Sequence, residues 1–307
     1  MEKLFISQVE KTLKAEGINL NGPLTQGVKR HNDSLSDGSS VFIKVLGPTN
    51  TSDAFVREIG MAKLLSYAPK PLLEEPLNVR GKFITAWEYI EGSEVLCDKA
   101  TDEDATSLVH NLFEIYETHP NAVRFHVGSL GPEAVERRLN KAYQEGEIPP
   151  ALFSDIEKVV QYHVLDFLNS ATALMMDNST LIHGDPHMGN LFKSSDGVSR
   201  LIDYESAKKA PLEYDLAAIF QNQSQIYNRQ DLWESSYSLF SDMAREHTGR
   251  PVDDLLLRNL ILFKNAQSLT YLISFGDWDV IEDRTTKLLK AIKTNFPPTN
   301  LMPQAGL

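Results

Sequence analysis

Residues 181–205, LIHGDPHMGNLFKSSDGVSRLIDYE, place His183, Asp185 and Asn190 on one short loop and Asp203 at the end of the apolar run that follows. Groups of these types serve phosphoryl transfer. One carboxylate orients an attacking hydroxyl and accepts its proton, while an amide oxygen and a second carboxylate hold Mg²⁺ against nucleotide phosphates. In the protein-kinase signature four residues separate the catalytic Asp from the metal-binding Asn, and a further metal-binding Asp follows. Asp185 and Asn190 have that separation, and Asp203 falls thirteen residues after Asn190. Asp185 is then the catalytic base, with Asn190 and Asp203 as metal ligands. A strong base is not required, because the hydroxyl loses its proton late in a loose transition state.

The elements that must position these groups are legible around them. Leu181-Ile182 and Leu191-Phe192 anchor both ends of the loop, and Leu201-Ile202 is a short buried strand that delivers Asp203. The turn cluster Ser194-Ser195-Asp196-Gly197 makes the unit a β-hairpin with a carboxylate near each end. Glu205, two residues past Asp203, would face the same side of an extended strand and could touch the metal's water shell or the substrate. His183 scaffolds the loop. His183 and His187 have the spacing of a helical zinc pair, but Gly184, Asp185 and Pro186 between them make poor helix. The Gly-Asp-x-His string also occurs in metallophosphoesterases, whose companion metal-binding loops are not found here.

Val41-Phe42-Ile43-Lys44 is close to the kinase V-A-I-K strand, so Lys44 would pair with the α/β-phosphates. Glu58, on the helix that follows, is the natural counter-ion for Lys44, and Glu88 is an alternative. The phosphate-covering loop, residues 24–30, offers the single glycine Gly27 where protein kinases have three.

On these motifs the chain resembles the aminoglycoside phosphotransferase and choline kinase family, whose catalytic loop reads H-G-D-x-x-x-x-N and whose metal strand reads I-D-[FWY]-E. Gly184 stands where protein kinases carry an Arg that reads a phosphorylated activation segment. The stretch from Asp203 to Pro211-Leu212-Glu213-Tyr214-Asp215-Leu216-Ala217, similar to the family's P-x-x-Y-D-L-A run, is too short for such a segment. The resemblance implies an α+β, protein-kinase-like bilobal fold with a small β-rich N-lobe (1–90) and a larger α-helical C-lobe (91–307). It also implies adenine held by backbone groups at Glu88 and Ile90, Asp215 buried against the catalytic loop, and tolerance of a Gly-poor phosphate loop. The expected cofactors are ATP, with GTP not excluded, and Mg²⁺. The expected acceptor is a hydroxylated, cationic small molecule: an aminoglycoside-like or other cationic antibiotic, or else choline, thiamine or homoserine. A nucleotide-binding pseudokinase is disfavoured by intact Lys44, Asp185, Asn190 and Asp203.

Whole-chain properties agree. A chain of 307 residues can bury a sizeable core. The formal charge of −12 is concentrated in residues 91–170, where fifteen acidic residues face six basic ones, which speaks against nucleic-acid binding through a basic face. A second acidic group, Asp277, Asp279, Glu282 and Asp283 beside Trp278, suits a cationic acceptor. No apolar run approaches a membrane span, and the N-terminus lacks a signal-peptide pattern, so cytoplasmic residence is expected. Cys97 is alone, which excludes an internal disulfide framework. Periodicity predicts an N-terminal helix carrying Leu4, Phe5, Val9 and Leu13, strands at 41–46, 72–79 and 82–89, and a helix opened by Thr51-Ser52-Asp53. Ile90-Glu91-Gly92 is the expected hinge. Beyond it, helices are predicted after Thr101, over 131–145, over 152–169 through a Ser154-x-x-Glu157 capping box, and at 213–223, 229–247, 253–275 and 279–295.

Overall fold

The computed structural model describes residues 3–26, 34–46, 52–118, 140–141, 143–146, 150–159 and 180–273. Gly27, the acidic group around Trp278, the 279–295 helix and most of the 131–145 helix lie outside the described residues. The chain groups into two compact units, Met1–Phe125 with His183–Ala207, and His126–Ile182 with Lys208–Leu307.

The first unit is built on an antiparallel sheet in the order β1-β2-β3-β5-β4. Its strands are β1 (Thr25–Gln26), β2 (Ser34–Ser36), β3 (Val41–Leu46), β4 (Leu77–Val79) and β5 (Lys82–Glu88). Alternation along β3 sends Val41, Ile43 and Val45 to one face, opposite Glu88, Ala86 and Ile84 of β5. Helix α1 (Lys3–Ala15) covers that face. Its Phe5, Val9 and Leu13, four apart and hence on one stripe, join the strand residues in a buried cluster. Leu4 points the other way and is exposed. Lys44 emerges on the opposite face, paired in register with Thr85.

Helix α2 (Asp53–Leu64) buries Phe55, Glu58, Ile59, Met61 and Ala62. Ser52 precedes it, as expected of a cap, yet makes no side-chain cap hydrogen bond because its own backbone is already helical (φ −62°, ψ −16°). The expected cap is realised at α3 (Asp102–Glu117), where Thr101 and Asp104 form a reciprocal capping box. The strand expected at 72–79 shortens to β4 plus a single bridge from Pro71 to Trp87.

A second sheet, ordered β6-β8-β9, joins β6 (Gly92–Glu94), β8 (Leu191–Ser194) and β9 (Ser199–Leu201). The expected hinge therefore runs directly into β6, whose partner β8 is the first strand of the hairpin formed with β9. That pairing depends on Gly92. A Cβ there would lie 2.3 Å from the Lys193 carbonyl oxygen and 2.6 Å from a Phe192 ring carbon, distances no side chain tolerates.

The second unit contains β7 (Thr180–Ile182) paired with β10 (Lys208–Ala210), and helices α4 (Pro150–Val159), α5 (Glu213–Phe220), α6 (Gln230–Thr248) and α7 (Asp254–Ile273). Helix α4 begins at Pro150, upstream of the expected Ser154 start. Proline's fixed φ and missing N–H suit a first helical turn, so Ser154 lies inside the helix. Helix α5 continues as a π-helical turn over Gln221–Ile226. Buried Glu213 accepts from the Asp253 backbone N–H at 3.1 Å, tying the start of α5 to the residue before α7. Among the described residues no helix is long and apolar enough to cross a membrane.

We predict that Gly92→Ala destabilises the protein by about 3 kcal/mol in urea titration, because the obstructing atoms include backbone that cannot rotate away. Gly197→Ala, where a Cβ meets open space but φ is +83°, should cost only about 1 kcal/mol. Equal losses would refute the close-approach argument. Leu13→Ala, on the buried stripe of α1, should cost about 2–5 kcal/mol.

Candidate active site

Of the residues singled out from sequence, Lys44, Glu58, His183, Asp185, Asn190, Asp203 and Glu205 all belong to the first unit. Strand β3 delivers Lys44, whose Nζ lies 2.5 Å from Glu58 Oε1 on α2 and 2.8 Å from Asp203 Oδ1. Glu58 is the partner and Glu88 is not: in register with Val41, Glu88 lies on the sheet face opposite Lys44 and is exposed. Burial disfavours a charged lysine, but the Glu58 and Asp203 carboxylates outweigh it and hold Lys44 well above its ordinary value. Burial pushes the Glu58 carboxyl up to about 7, against the pull of the Lys44 ammonium.

The loop from His183 to Asn190 is folded around its own backbone. Gly184 adopts φ +88°, a conformation that side chains resist, which accounts for glycine at this position. His183, fully buried, bonds through Nε2 to the Ile202 carbonyl at 3.0 Å, leaving Nδ1 to accept from the Asp185 N–H at 3.4 Å. It thus ties the start of the loop to the segment between β9 and Asp203. Asn190 donates its amide to the Asp185 carbonyl at 3.0 Å, so its side-chain oxygen remains for another partner. The Asn190 carbonyl in turn receives the Ile202 N–H at 2.9 Å. The Asp185 carboxylate is half exposed, with His187 Nε2 3.9 Å away.

Asp203 differs from the extended geometry expected of it. It takes a left-handed backbone (φ 70°, ψ 59°), and Tyr204–Ser206 form a 3₁₀ turn. Such a conformation costs a non-glycine residue on the order of 1 kcal/mol and persists only where the surroundings fix it. The argument that placed Glu205 beside Asp203 along a strand therefore fails, although Glu205 remains near. Burial, then the Asp203 and Asp185 charges, raise its carboxyl above the ordinary range. Arg57, one residue before Glu58, donates from Nε to the Glu205 backbone carbonyl at 3.1 Å.

These oxygens fit a hard divalent cation. Asn190 and Asp203 offer an amide and a carboxylate oxygen, with the Glu205 carboxylate near Asp203. Among the described residues no three His, Cys, Asp or Glu side chains converge to hold a metal by themselves. That is the donor set of Mg²⁺ shared between one or two carboxylates and substrate phosphates, not of zinc. At the expected hinge, Glu88 N–H bonds the Lys70 carbonyl at 2.9 Å and Tyr89 N–H the Ser40 carbonyl at 3.1 Å. The Ile90 N–H has no partner among the described residues. Asp215 is fully buried in α5, in the second unit.

Sequence reasoning missed Arg57, Tyr67, Asn111 and Tyr204. Each acts on backbone atoms and so leaves no side-chain motif; the bonds of Arg57, Tyr67 and Asn111 join elements far apart in the chain, whereas Tyr204 reaches back three residues to the Leu201 carbonyl. The aromatic allowance in I-D-[FWY]-E was the single hint for Tyr204.

Glu58 generates a pH prediction. Its folded value, about 7, lies above its unfolded value near 4.5, so its contribution to stability is fully present below about 4.5 and is lost as pH rises through 7. The melting temperature of the nucleotide-free protein should fall across this window, and Glu58→Gln should flatten the fall. A wild-type melting curve that rises from pH 5 to 8 would contradict the burial argument.

Comparison with known proteins completes the picture. No match was found among curated protein sequences. Similar solved structures include the choline kinase LicA from Streptococcus pneumoniae (15% identity, TM-score 0.64, covering 93% of this chain and 98% of that one). The aminoglycoside phosphotransferase APH(4)-Ia, in a ternary complex with AMP-PNP and hygromycin B, is 14% identical (TM-score 0.65, 95% and 100% covered). The spectinomycin phosphotransferase APH(9)-Ia, bound to ADP and spectinomycin, is 18% identical (TM-score 0.56, 96% and 95% covered). These likenesses show the fold, an α+β protein-kinase-like one. The model of the phosphotransferase enzyme family matches residues 52–246, which include Glu58, the whole catalytic loop, Asp203 and Asp215. With well over half of its length matched, the chain belongs to the phosphotransferase enzyme family.

Proposed function

We propose that this phosphotransferase moves the γ-phosphate of ATP to a hydroxyl of a cationic small molecule, with Mg²⁺ as the metal. The observation that carries the reading is the Lys44 ammonium held between Glu58 and Asp203, in a chain whose catalytic loop presents a half-exposed Asp185. On this reading Lys44 binds the α/β-phosphate oxygens, and Glu58 keeps the lysine extended. Asn190 and Asp203 would hold Mg²⁺, which when bound would supply positive charge against the nucleotide phosphates. Asp185 orients the acceptor hydroxyl and takes its proton as the oxygen bonds to phosphorus and ADP leaves with the bridging oxygen. The Glu88 carbonyl and the Ile90 N–H read the adenine edge.

A cationic acceptor is supported by the −12 formal charge and its concentration in residues 91–170. An aminoglycoside-like or other cationic antibiotic is the first choice, and choline, thiamine or homoserine the metabolic alternative.

ADP release with Mg·ATP should be measured against aminoglycosides, other hydroxylated antibiotics, choline, thiamine and homoserine. Stimulation by one of the cationic compounds is expected. Stimulation by neutral hydroxyl compounds alone would remove the charge argument, and nucleotide binding with no turnover on any acceptor would leave a binding protein. Asp185→Ala should lower kcat by at least about 10²-fold with Mg·ATP affinity nearly unchanged. Asp203→Ala should instead weaken Mg·ATP binding, and unaltered affinity there would count against its metal role.

A further inference from the structure

Strand β9 ends two residues before the proposed metal ligand Asp203, and among the described residues only one of its edges is paired with another strand. Strand β8 occupies that edge through the Leu191–Leu201 and Lys193–Ser199 register. At the other edge stands the side chain of Asn111, from α3. Its Nδ2 donates to the Ser199 carbonyl at 3.3 Å and its Oδ1 accepts the Leu201 N–H at 3.0 Å. One carboxamide thus supplies both bonds that a neighbouring strand would have made. The amide is itself held, because Nδ2 also donates to the Ser107 carbonyl at 2.8 Å, one helical turn back. Tyr67, beyond the end of α2, donates its hydroxyl to the Asn111 backbone carbonyl at 3.1 Å.

The atoms that follow Leu201 are fixed one after another. The Leu201 carbonyl receives the Tyr204 hydroxyl, the Ile202 N–H bonds the Asn190 carbonyl, and the Ile202 carbonyl bonds His183. Leu201 has no accessible surface, so water cannot replace Asn111 at its N–H. Next in the chain comes Asp203 in its left-handed conformation.

Resting on the proposed function, we infer that Asn111 is a positioning residue for the metal site: it substitutes for a missing strand beside β9 and thereby fixes where Asp203 presents its carboxylate. It touches neither nucleotide nor metal. An amide is suited to the task because it both donates and accepts, whereas Asp can only accept and Leu can do neither.

The test compares wild type with Asn111→Ala and Asn111→Asp. Three quantities are measured: exchange of the Leu201 amide hydrogen, the affinity for ADP without metal, and the gain in ADP affinity when Mg²⁺ is added. In Asn111→Ala the Leu201 amide should exchange at least tenfold faster and the Mg²⁺-dependent gain should fall about tenfold, the usual scale for losing a partner that orients a ligand. Metal-free ADP should bind within twofold of wild type. Asn111→Asp, which keeps the acceptor for Leu201 but loses the donor to Ser199, should fall between the two. It carries the same test if the alanine variant does not fold. A variant with a lowered melting temperature but an unchanged Mg²⁺ gain would reduce Asn111 to a structural residue and overturn this inference alone. No Mg²⁺ gain in wild type itself would overturn the metal role of Asp203 and this inference with it.

Discussion

A single ammonium group, on Lys44, lies within hydrogen-bonding distance of two carboxylates, one close in sequence and one far away. Glu58 comes from the helix after β3, and Asp203 from a segment 159 residues further along the chain than Lys44. Each charge would be costly to bury alone, and each is tolerated because the others are there. The pairing therefore fixes three elements at once: the sheet, the helix packed on the Lys44 side of β3, and the strand end that presents the proposed metal ligand. Arg57 reinforces it from the same helix by holding the backbone of the Tyr204–Ser206 turn.

Around this cluster the protein invests its buried polar contacts in backbone atoms. His183, Asn190, Asn111 and Tyr204 each hold a carbonyl or N–H between Asp185 and Asp203. Bonds to backbone fix where a side chain starts without occupying the side chain itself. The Asn190 side-chain oxygen thereby remains for another partner, and the Asp185 carboxylate stays half exposed. Left-handed Asp203 is the position where this arrangement strains the chain, whereas Gly184 takes its positive φ without steric cost.

The fold was legible wherever a local pattern decided it. The period-two alternation of β3, the i, i+4 stripe of α1 and the Thr101–Asp104 capping box all stand as expected, because each depends on residues close in sequence. The expectations that missed did so where tertiary context competed. Ser52 sits before a helix but its backbone had already joined it, and Ser154 was overtaken by Pro150, which starts the helix a turn earlier. Glu205 was placed by assuming an extended chain, whereas packing of Tyr204 and the bonds around Ile202 turn the chain at Asp203.

The sequence by itself determined which groups are present and their order: a lysine at the end of an apolar strand, an acid and an amide on one loop, and a second acid after a short hairpin. Their types and spacing are chemical facts that survive any change of packing, and they suffice to name phosphoryl transfer. Only the tertiary structure decided that Glu58 rather than Glu88 meets Lys44, because strand register puts Glu88 on the other face. It alone revealed Asn111 beside β9 and Arg57 on the turn after Asp203. Those contacts join residues about ninety and one hundred and fifty positions apart through backbone atoms, which every residue possesses, so no side-chain pattern could announce them.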